Sequence, residues 1–175
     1  GNEIIETFPD SGYVAGAHRF LAKVYAEQGK DTKARDHIDA AIDMCTDIIS
    51  SEETGVADIP GAYYERGLAY FDIGEYKEGI SDFKYLVGEV PVLNREIAHE
   101  NYYFEGHIGL ACVYSQVGNN DEAKQILQNA LSLLDKDPDF QGYKKYRKDG
   151  VEALLNEINM GKSIPIPMMY QILGK

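Results

Sequence analysis

Small, aromatic and bulky apolar residues recur along this chain at intervals typical of paired helices. Three segments, 21–41, 66–86 and 110–130, align without gaps. In each, a small residue precedes a tyrosine by three positions, and a glycine follows the tyrosine by four. A second small residue lies five positions beyond the glycine, and a bulky apolar residue lies four beyond that. The pattern therefore predicts one local structure, formed three times.

Each aligned segment predicts a helical hairpin. The matching positions are Ala22, Tyr25, Gly29, Ala34, Ile38 and Ala41; Gly67, Tyr70, Gly74, Gly79, Phe83 and Leu86; and Ala111, Tyr114, Gly118, Ala123, Leu127 and Ala130. A glycine after a helical run is typical of a left-handed cap. Side chains that could cap the second helix follow the glycine, namely Asp31 and Thr32 in the first segment and Asn120 and Asp121 in the third. Small residues let the two helices approach closely, and several hairpins must stack to bury their apolar faces.

This arrangement resembles the tetratricopeptide repeat, a pattern of about 34 residues with conserved small, Tyr, Gly, Ala and Pro positions. The resemblance covers about residues 15–48, 60–93 and 104–137. It implies an all-α fold, a superhelix in which antiparallel helical hairpins form a right-handed array. The repeats depart from the family pattern because they begin about 44–45 residues apart.

Histidine or tyrosine replaces the family's usual tryptophan, at His18, Tyr63 and His107. Arg66 stands where the family pattern has leucine. The two histidines fall at internal hairpin positions, so we expect them to be packed rather than catalytic.

Beyond the third repeat, an apolar stripe predicts one more helix, over about 139–159. The stripe consists of Val151, Leu154, Leu155 and Ile158. We interpret this helix as a C-terminal cap that completes a single domain over 1–159. The remaining tail, 160–175, is apolar, and its two prolines favour an extended path. It should dock on its own cap, in its own groove or against a neighbouring chain.

Composition and charge exclude several classes of function. The 175 residues include 17 basic and 29 acidic side chains, a net charge of −12 that argues against nucleic-acid or anionic-membrane surfaces. No run approaches the roughly 18 apolar residues of a membrane helix, so we expect no membrane insertion. Two cysteines are too few for a disulfide framework or a zinc site. The first residue is Gly1, so we expect the native N-terminus, with any signal peptide, to be missing, and the compartment stays open.

The family resemblance also implies where a partner would bind. First helices of tetratricopeptide hairpins line a concave groove, and the inner positions here are Arg19, Lys23, Ala26, Glu27, Tyr64, Leu68, Phe71, Asp72, Glu105, Ile108, Cys112, Ser115 and Gln116. We expect exposed apolar anchors at Tyr64, Leu68 and Phe71 to supply affinity. Arg19 and Lys23 would orient an acidic group at one end.

One family branch grips the terminal carboxylate of heat-shock chaperones with amide and cationic side chains. This chain has Glu65, Glu105 and Gly109 at three of the equivalent positions. Because the two acids would repel a carboxylate, we do not expect that activity.

The sequence offers little for catalysis. Glu96 and His99 have the Glu-x-x-His spacing of metal ligands on one helix face, but no second copy exists, and we interpret them as a solvated helix start. Cys112 has no base at helical spacing on its own face. No nucleotide-binding or hydrolase motif occurs. We therefore predict no cofactor, no metal and no enzymatic activity.

Three functional hypotheses follow. The favoured one is a protein–protein interaction module, or scaffold, that holds a peptide, a helix or a partner loop in the groove. The alternative is a structural protein whose apolar tail forms homo-oligomers or blocks the groove. The third, an enzyme or metal protein, would be built around Glu96, His99 and Glu100.

Overall fold

The computed structural model of the chain describes residues 12–51, 58–88, 100–136, 144–164 and 169. Those ranges contain helices and turns and no β-strand. The helices are α1 (Gly12–Glu27), α2 (Asp31–Ser50), α3 (Ile59–Asp72), α4 (Tyr76–Gly88), α5 (Glu100–Gln116), α6 (Asn120–Lys136) and α7 (Lys144–Asn159). The prediction of an all-α fold is confirmed.

Each hairpin turns at the glycine that the sequence pattern singled out. Gly29, Gly74 and Gly118 have φ values of 68°, 79° and 85°, in the left-handed region that favours glycine. The carbonyl oxygen of each motif tyrosine accepts the N–H of the residue after the glycine, which closes a Schellman cap. These bonds are Lys30 N to Tyr25 O (2.9 Å), Glu75 N to Tyr70 O (2.9 Å) and Asn119 N to Tyr114 O (2.8 Å). The three predicted hairpins are therefore present.

The second helices begin differently from the sequence prediction. Helix α2 starts at Asp31 itself, and its N-cap residue, Lys30, makes no side-chain capping bond. Asn120 is the first residue of α6, and its Oδ1 is buried with no hydrogen-bond partner among the described residues. The predicted caps at Asp31 and Asn120 are wrong because the tight turn already places both residues inside the helix. Asp31 instead puts a negative charge in the first turn, where the helix dipole favours it.

The chain divides into two compact units, residues 1–82 and 83–175. The boundary falls inside α4, so it does not follow the repeat boundaries. In the first unit, α1 packs against α2 and α3, and α2 packs against α3. Small motif residues such as Ala22 and Ala41 are buried at these contacts. The single domain over 1–159 stays a prediction.

In the second unit, α5 packs against α6, and α6 packs against α7. Two glycines let α5 approach the end of α4: a Cβ at Gly106 would lie 2.7 Å from Leu86 Cβ, and one at Gly109 would lie 2.5 Å from Phe83 Cε1. At either distance a neighbouring group would have to shift, so glycine at both positions permits this close packing.

Helix α7 corresponds to residues 144–159 of the capping helix predicted over about 139–159. It buries Val151, Leu154 and Ile158 and leaves Leu155 half-buried. It begins at Lys144, and residues 139–143 of the predicted helix lie outside the described ranges. In the described part of the chain, no helix combines the length and apolar character that a membrane crossing needs.

Candidate functional site

Arg19 forms the centre of a buried ion-pair network in the first unit. Its Nη1 donates to Glu65 Oε2 at 2.7 Å, and its Nη2 and Nε donate to Asp72 Oδ2 at 3.0 and 3.2 Å. The bonds connect the middle of α1 to α3, and the Arg19 side chain is only 6% exposed. Charge-assisted bonds of this kind orient both helices strongly. Arg19 is therefore an internal residue, which corrects the expectation that it faces a partner's acidic group.

Lys23 lies one turn further along α1, at the margin of the same network. Burial lowers the pKa of its ammonium group, and Arg19 adds to this effect, while Asp72 and Glu65 act in the opposite direction. Two cations and two carboxylates share the cluster, so its formal charge is balanced. The predicted basic end of the groove is consequently close to neutral.

The expected apolar anchors are buried rather than exposed. Tyr64 and Leu68 are 0% exposed, and Phe71 is 1% exposed. Phe71 also packs its ring against Tyr76, with centroids 5.8 Å apart. The expectation of exposure is wrong for these three side chains because they belong to the core of the first unit.

In the second unit the predicted inner face of α5 is also covered. Ile108 and Cys112 are fully buried, and Gln116 is half-buried. Gln116 Nε2 donates to the carbonyl oxygen of Ile164 at 2.7 Å, and the Ile164 N–H donates to Ser115 Oγ at 2.8 Å. Ile164 belongs to the tail, so these contacts place that part of the tail on inner-face residues of the third hairpin.

Four of the predicted inner positions on α1 and α3 are exposed or half-buried. Glu27 and Ala26 are exposed, and Lys23 and Asp72 are half-buried near Arg19. Sequence reasoning missed a neighbour of this face, Phe20, whose side chain is 60% exposed. Phe20 precedes Lys23 by three residues and Glu27 by seven, so the three share one side of the helix. We call this set the α1 surface (Phe20, Lys23 and Glu27).

A second internal ion pair was not visible in the sequence pattern. Arg66 Nε and Nη2 donate to both oxygens of Asp82, at 2.9 and 2.8 Å. Burial raises the pKa of the Asp82 carboxyl despite the opposing effect of Arg66. The two residues are 16 positions apart, so no helical spacing indicates the pair. The one signal was that Arg66 replaces the family's leucine.

The histidines at the tryptophan positions are packed, as the sequence predicted. His107 is 2% exposed and its Nδ1 donates to the Tyr103 carbonyl oxygen at 2.8 Å. His18 Nδ1 lies 2.8 Å from His37 Nδ1, which connects α1 to α2. The His37 ring stacks on Tyr25 at 5.3 Å.

The two cysteines and the metal-binding side chains of the described residues are poorly placed for chemistry. Burial raises the pKa of the Cys45 thiol to about 12 and that of Cys112 further still, so both stay protonated near neutral pH. Within the described ranges no three metal-binding side chains cluster. Glu96 and His99 lie outside those ranges, as does the side chain of Glu100.

Comparison with known proteins identifies the hairpins. The family model of the tetratricopeptide repeat matches residues 60–86 and 104–133, which are the second and third hairpins. These two hairpins are tetratricopeptide repeats. The first hairpin of the chain lies outside the matched residues, but it turns through the same glycine cap. No curated protein and no solved structure matches the chain.

Tetratricopeptide repeats generally mediate protein–protein interaction. The family therefore indicates the class of function but identifies neither the binding surface nor the partner. Both have to be inferred from the residues of this chain.

Proposed function

We propose that this tetratricopeptide repeat protein is an interaction module without chemistry of its own. It would hold a peptide, a helix or a loop of a protein partner against first helices of its hairpins. The observation that carries this proposal is the match of two consecutive hairpins to the family model. The buried, protonated thiols and the paired ions of the described residues support it, because they leave these groups unsuited to catalysis.

The α1 surface is the proposed contact with the partner in the first unit. An exposed aromatic ring beside charged side chains is a common arrangement at binding hot spots. Phe20 would supply apolar contact area, and Lys23 and Glu27, which carry opposite charges, would fix the orientation of the partner. This assignment replaces the buried Tyr64, Leu68 and Phe71 as candidate anchors.

Capture of partners from the native source tests the proposal. The full chain serves as bait beside Phe20→Ala and Glu27→Lys, and recovered proteins are quantified by mass spectrometry. We expect at least one protein to be recovered by the wild type and reduced about tenfold with both variants. Equal recovery by all three baits would remove the α1 surface from the proposal.

Matched controls come from α2, where Lys33 and Asp43 are exposed. Asp43→Lys makes the same change of charge as Glu27→Lys, and Lys33→Glu makes a change of the same size in the opposite direction. The controls should capture as well as the wild type. A loss shared by controls and test variants would indicate an effect of net charge rather than of the α1 surface.

A second candidate function is structural and depends on the tail. Its two versions are self-association and blocking of the groove, and the bonds of Ile164 to Ser115 and Gln116 within one chain favour blocking. Light scattering of the purified chain distinguishes them. We expect a mass near the 19.5 kDa of one chain, whereas twice that mass at micromolar concentration would favour self-association.

A further inference from the structure

The tail returns to the third hairpin directly after α7. Gly161 ends that helix with φ 73°, and the Lys162 N–H closes a Schellman cap on the Glu157 carbonyl oxygen at 3.1 Å. Two residues later, Ile164 is completely buried. The chain therefore reverses within one glycine turn and places an apolar side chain back against its own unit.

The contact with α5 is made to the main chain of Ile164. Ser115 Oγ accepts its N–H at 2.8 Å, and Gln116 Nε2 donates to its carbonyl oxygen at 2.7 Å. Ser115 is 1% exposed, so the first of these bonds is shielded from water. Two neighbouring side chains thus satisfy both main-chain groups of a single residue. Any L-residue other than proline presents the same two groups, so the bonds select an extended backbone rather than an isoleucine.

The sequence around Ile164 suits that geometry. Ile164 precedes Pro165, and a residue before proline is confined to extended conformations. Its N–H and C=O are therefore kept out of helical bonding and are available to a neighbouring element. The buried side chain supplies the apolar part of the contact, and the two hydrogen bonds supply its direction.

The same face of α5 is the one that the family resemblance assigns to a partner. Ile108, Cys112 and Ser115 follow one another at intervals of four and three, so they share one side of the helix. All three are buried, and Ser115 contacts the tail. Ile164 thus occupies a position at which a bound peptide would be expected.

We propose that Ser115 and Gln116 form a peptide-binding subsite that reads the main chain of an extended segment. The segment carries a large aliphatic residue followed by proline, and Ile164 is its occupant within the chain. An external peptide of the same chemistry binds there by displacing the tail. This inference rests on the proposed function, since it names the class of partner and the competition that controls one of its surfaces.

Two exposed apolar side chains lie beside this contact in sequence. Val117, 42% exposed, directly follows Gln116, and Met160, 58% exposed, lies four residues before Ile164. Both side chains are exposed to water, so they could add apolar contact area for a ligand longer than the single residue that is bound.

The full chain and a synthetic peptide test the proposal. The probe is a fluorescent peptide of residues 161–175, and the variant Ile164→Asp releases the tail because a carboxylate cannot be buried unpaired. Fluorescence anisotropy measures binding. We expect the peptide to bind Ile164→Asp at least about tenfold more tightly than the wild type, whose own tail competes.

Two controls assign that binding to the subsite. Adding Ser115→Ala and Gln116→Ala to the Ile164→Asp chain should weaken binding of the peptide at least about tenfold. The control Asn119→Ala changes an exposed residue in the turn after α5 and should leave the affinity unchanged. A peptide with aspartate in place of Ile164 should not bind. Equal affinity for the wild type and Ile164→Asp, or binding that ignores the Ser115 and Gln116 changes, overturns the proposal.

Hydrogen exchange provides a test that does not depend on Ile164→Asp folding. In the full chain with Ser115→Ala and Gln116→Ala, the Ile164 amide loses its acceptor and should exchange at least about tenfold faster than in the wild type. An unchanged rate overturns the proposal. A failed peptide test with partner capture still dependent on Phe20 would refute this subsite while leaving the proposed function standing.

Discussion

At the scale of single residues, the buried charged side chains of the first unit pair with one another. Arg19 holds Glu65 and Asp72, and Arg66 holds both oxygens of Asp82. These groups are largely buried, so each ion has exchanged water for a fixed partner. Removing one partner leaves a buried charge that neither water nor protein compensates. The resulting loss in the free energy of unfolding is much larger than the stability that the intact pair contributes.

Arg19→Leu should therefore destabilise the chain strongly. We expect the free energy of unfolding in urea to fall by about 3–5 kcal/mol, since two carboxylates lose their donors. The control Arg35→Leu removes an arginine whose side chain is 53% exposed and pairs with Asp39, and it should cost only about 0–1 kcal/mol. Equal losses for the two variants would contradict the internal role of Arg19.

His107 should make stability depend on pH. Burial lowers its pKa below the ordinary 6.5, and the bond to the Tyr103 carbonyl only partly opposes this. The folded state then binds fewer protons than the unfolded state. The contribution of His107 to the free energy of unfolding is therefore complete above about pH 6.5 and is lost as the pH falls. Burial lowers the pKa of His18 in the same direction.

The measurement is the difference in unfolding free energy between the wild type and His107→Gln from about pH 7 to pH 5. Glutamine keeps a donor for Tyr103 but does not titrate. The wild type should lose more stability than the variant over this range. Asp82 is present in both proteins, so its contribution to the pH dependence cancels in the difference. That contribution has the opposite sign, because the pKa of Asp82 is raised. Parallel curves would show that His107 does not titrate differently on folding.

At the scale of helices and turns, the sequence pattern predicted the hairpins, whereas it did not predict the individual tertiary contacts. The hairpins and their glycine turns were predictable because every determinant lies within a few residues of the turn, at Tyr25, Gly29 and their equivalents. The burial of Tyr64 and Phe71 was not predictable from the sequence, because it depends on packing against elements that are distant in sequence. The contacts of Ile164 with α5 join residues 48 and 49 positions apart, which no local spacing reveals.

Gly109 tests the close approach of α5 to the end of α4. Gly109→Ala would put a methyl group 2.5 Å from the Phe83 ring, so we expect a loss of about 1–3 kcal/mol in thermal or urea unfolding. The control is Gly88→Ala, where a Cβ meets nothing within 4 Å. It should be neutral or stabilising by up to about 1 kcal/mol. A tolerated Gly109→Ala would mean that the two helices separate easily.

At the scale of the whole chain, the repeats provide two candidate binding surfaces, one in each unit. The α1 surface exposes an aromatic ring beside charged side chains, and the proposed Ser115–Gln116 subsite already holds a residue of the tail. These surfaces differ in what a partner must do: the first is open to contact, whereas the second requires displacement of Ile164. The chain would therefore have one surface that binds directly and one that its own tail controls.

Calorimetric titration of a partner recovered with the full chain tests the central claim most directly. The account predicts saturable binding to the wild type and to Lys33→Glu, and affinity at least about tenfold weaker for Phe20→Ala with an unchanged melting temperature. No saturable binding by any recovered protein, or the same affinity for Phe20→Ala as for the wild type, would contradict it.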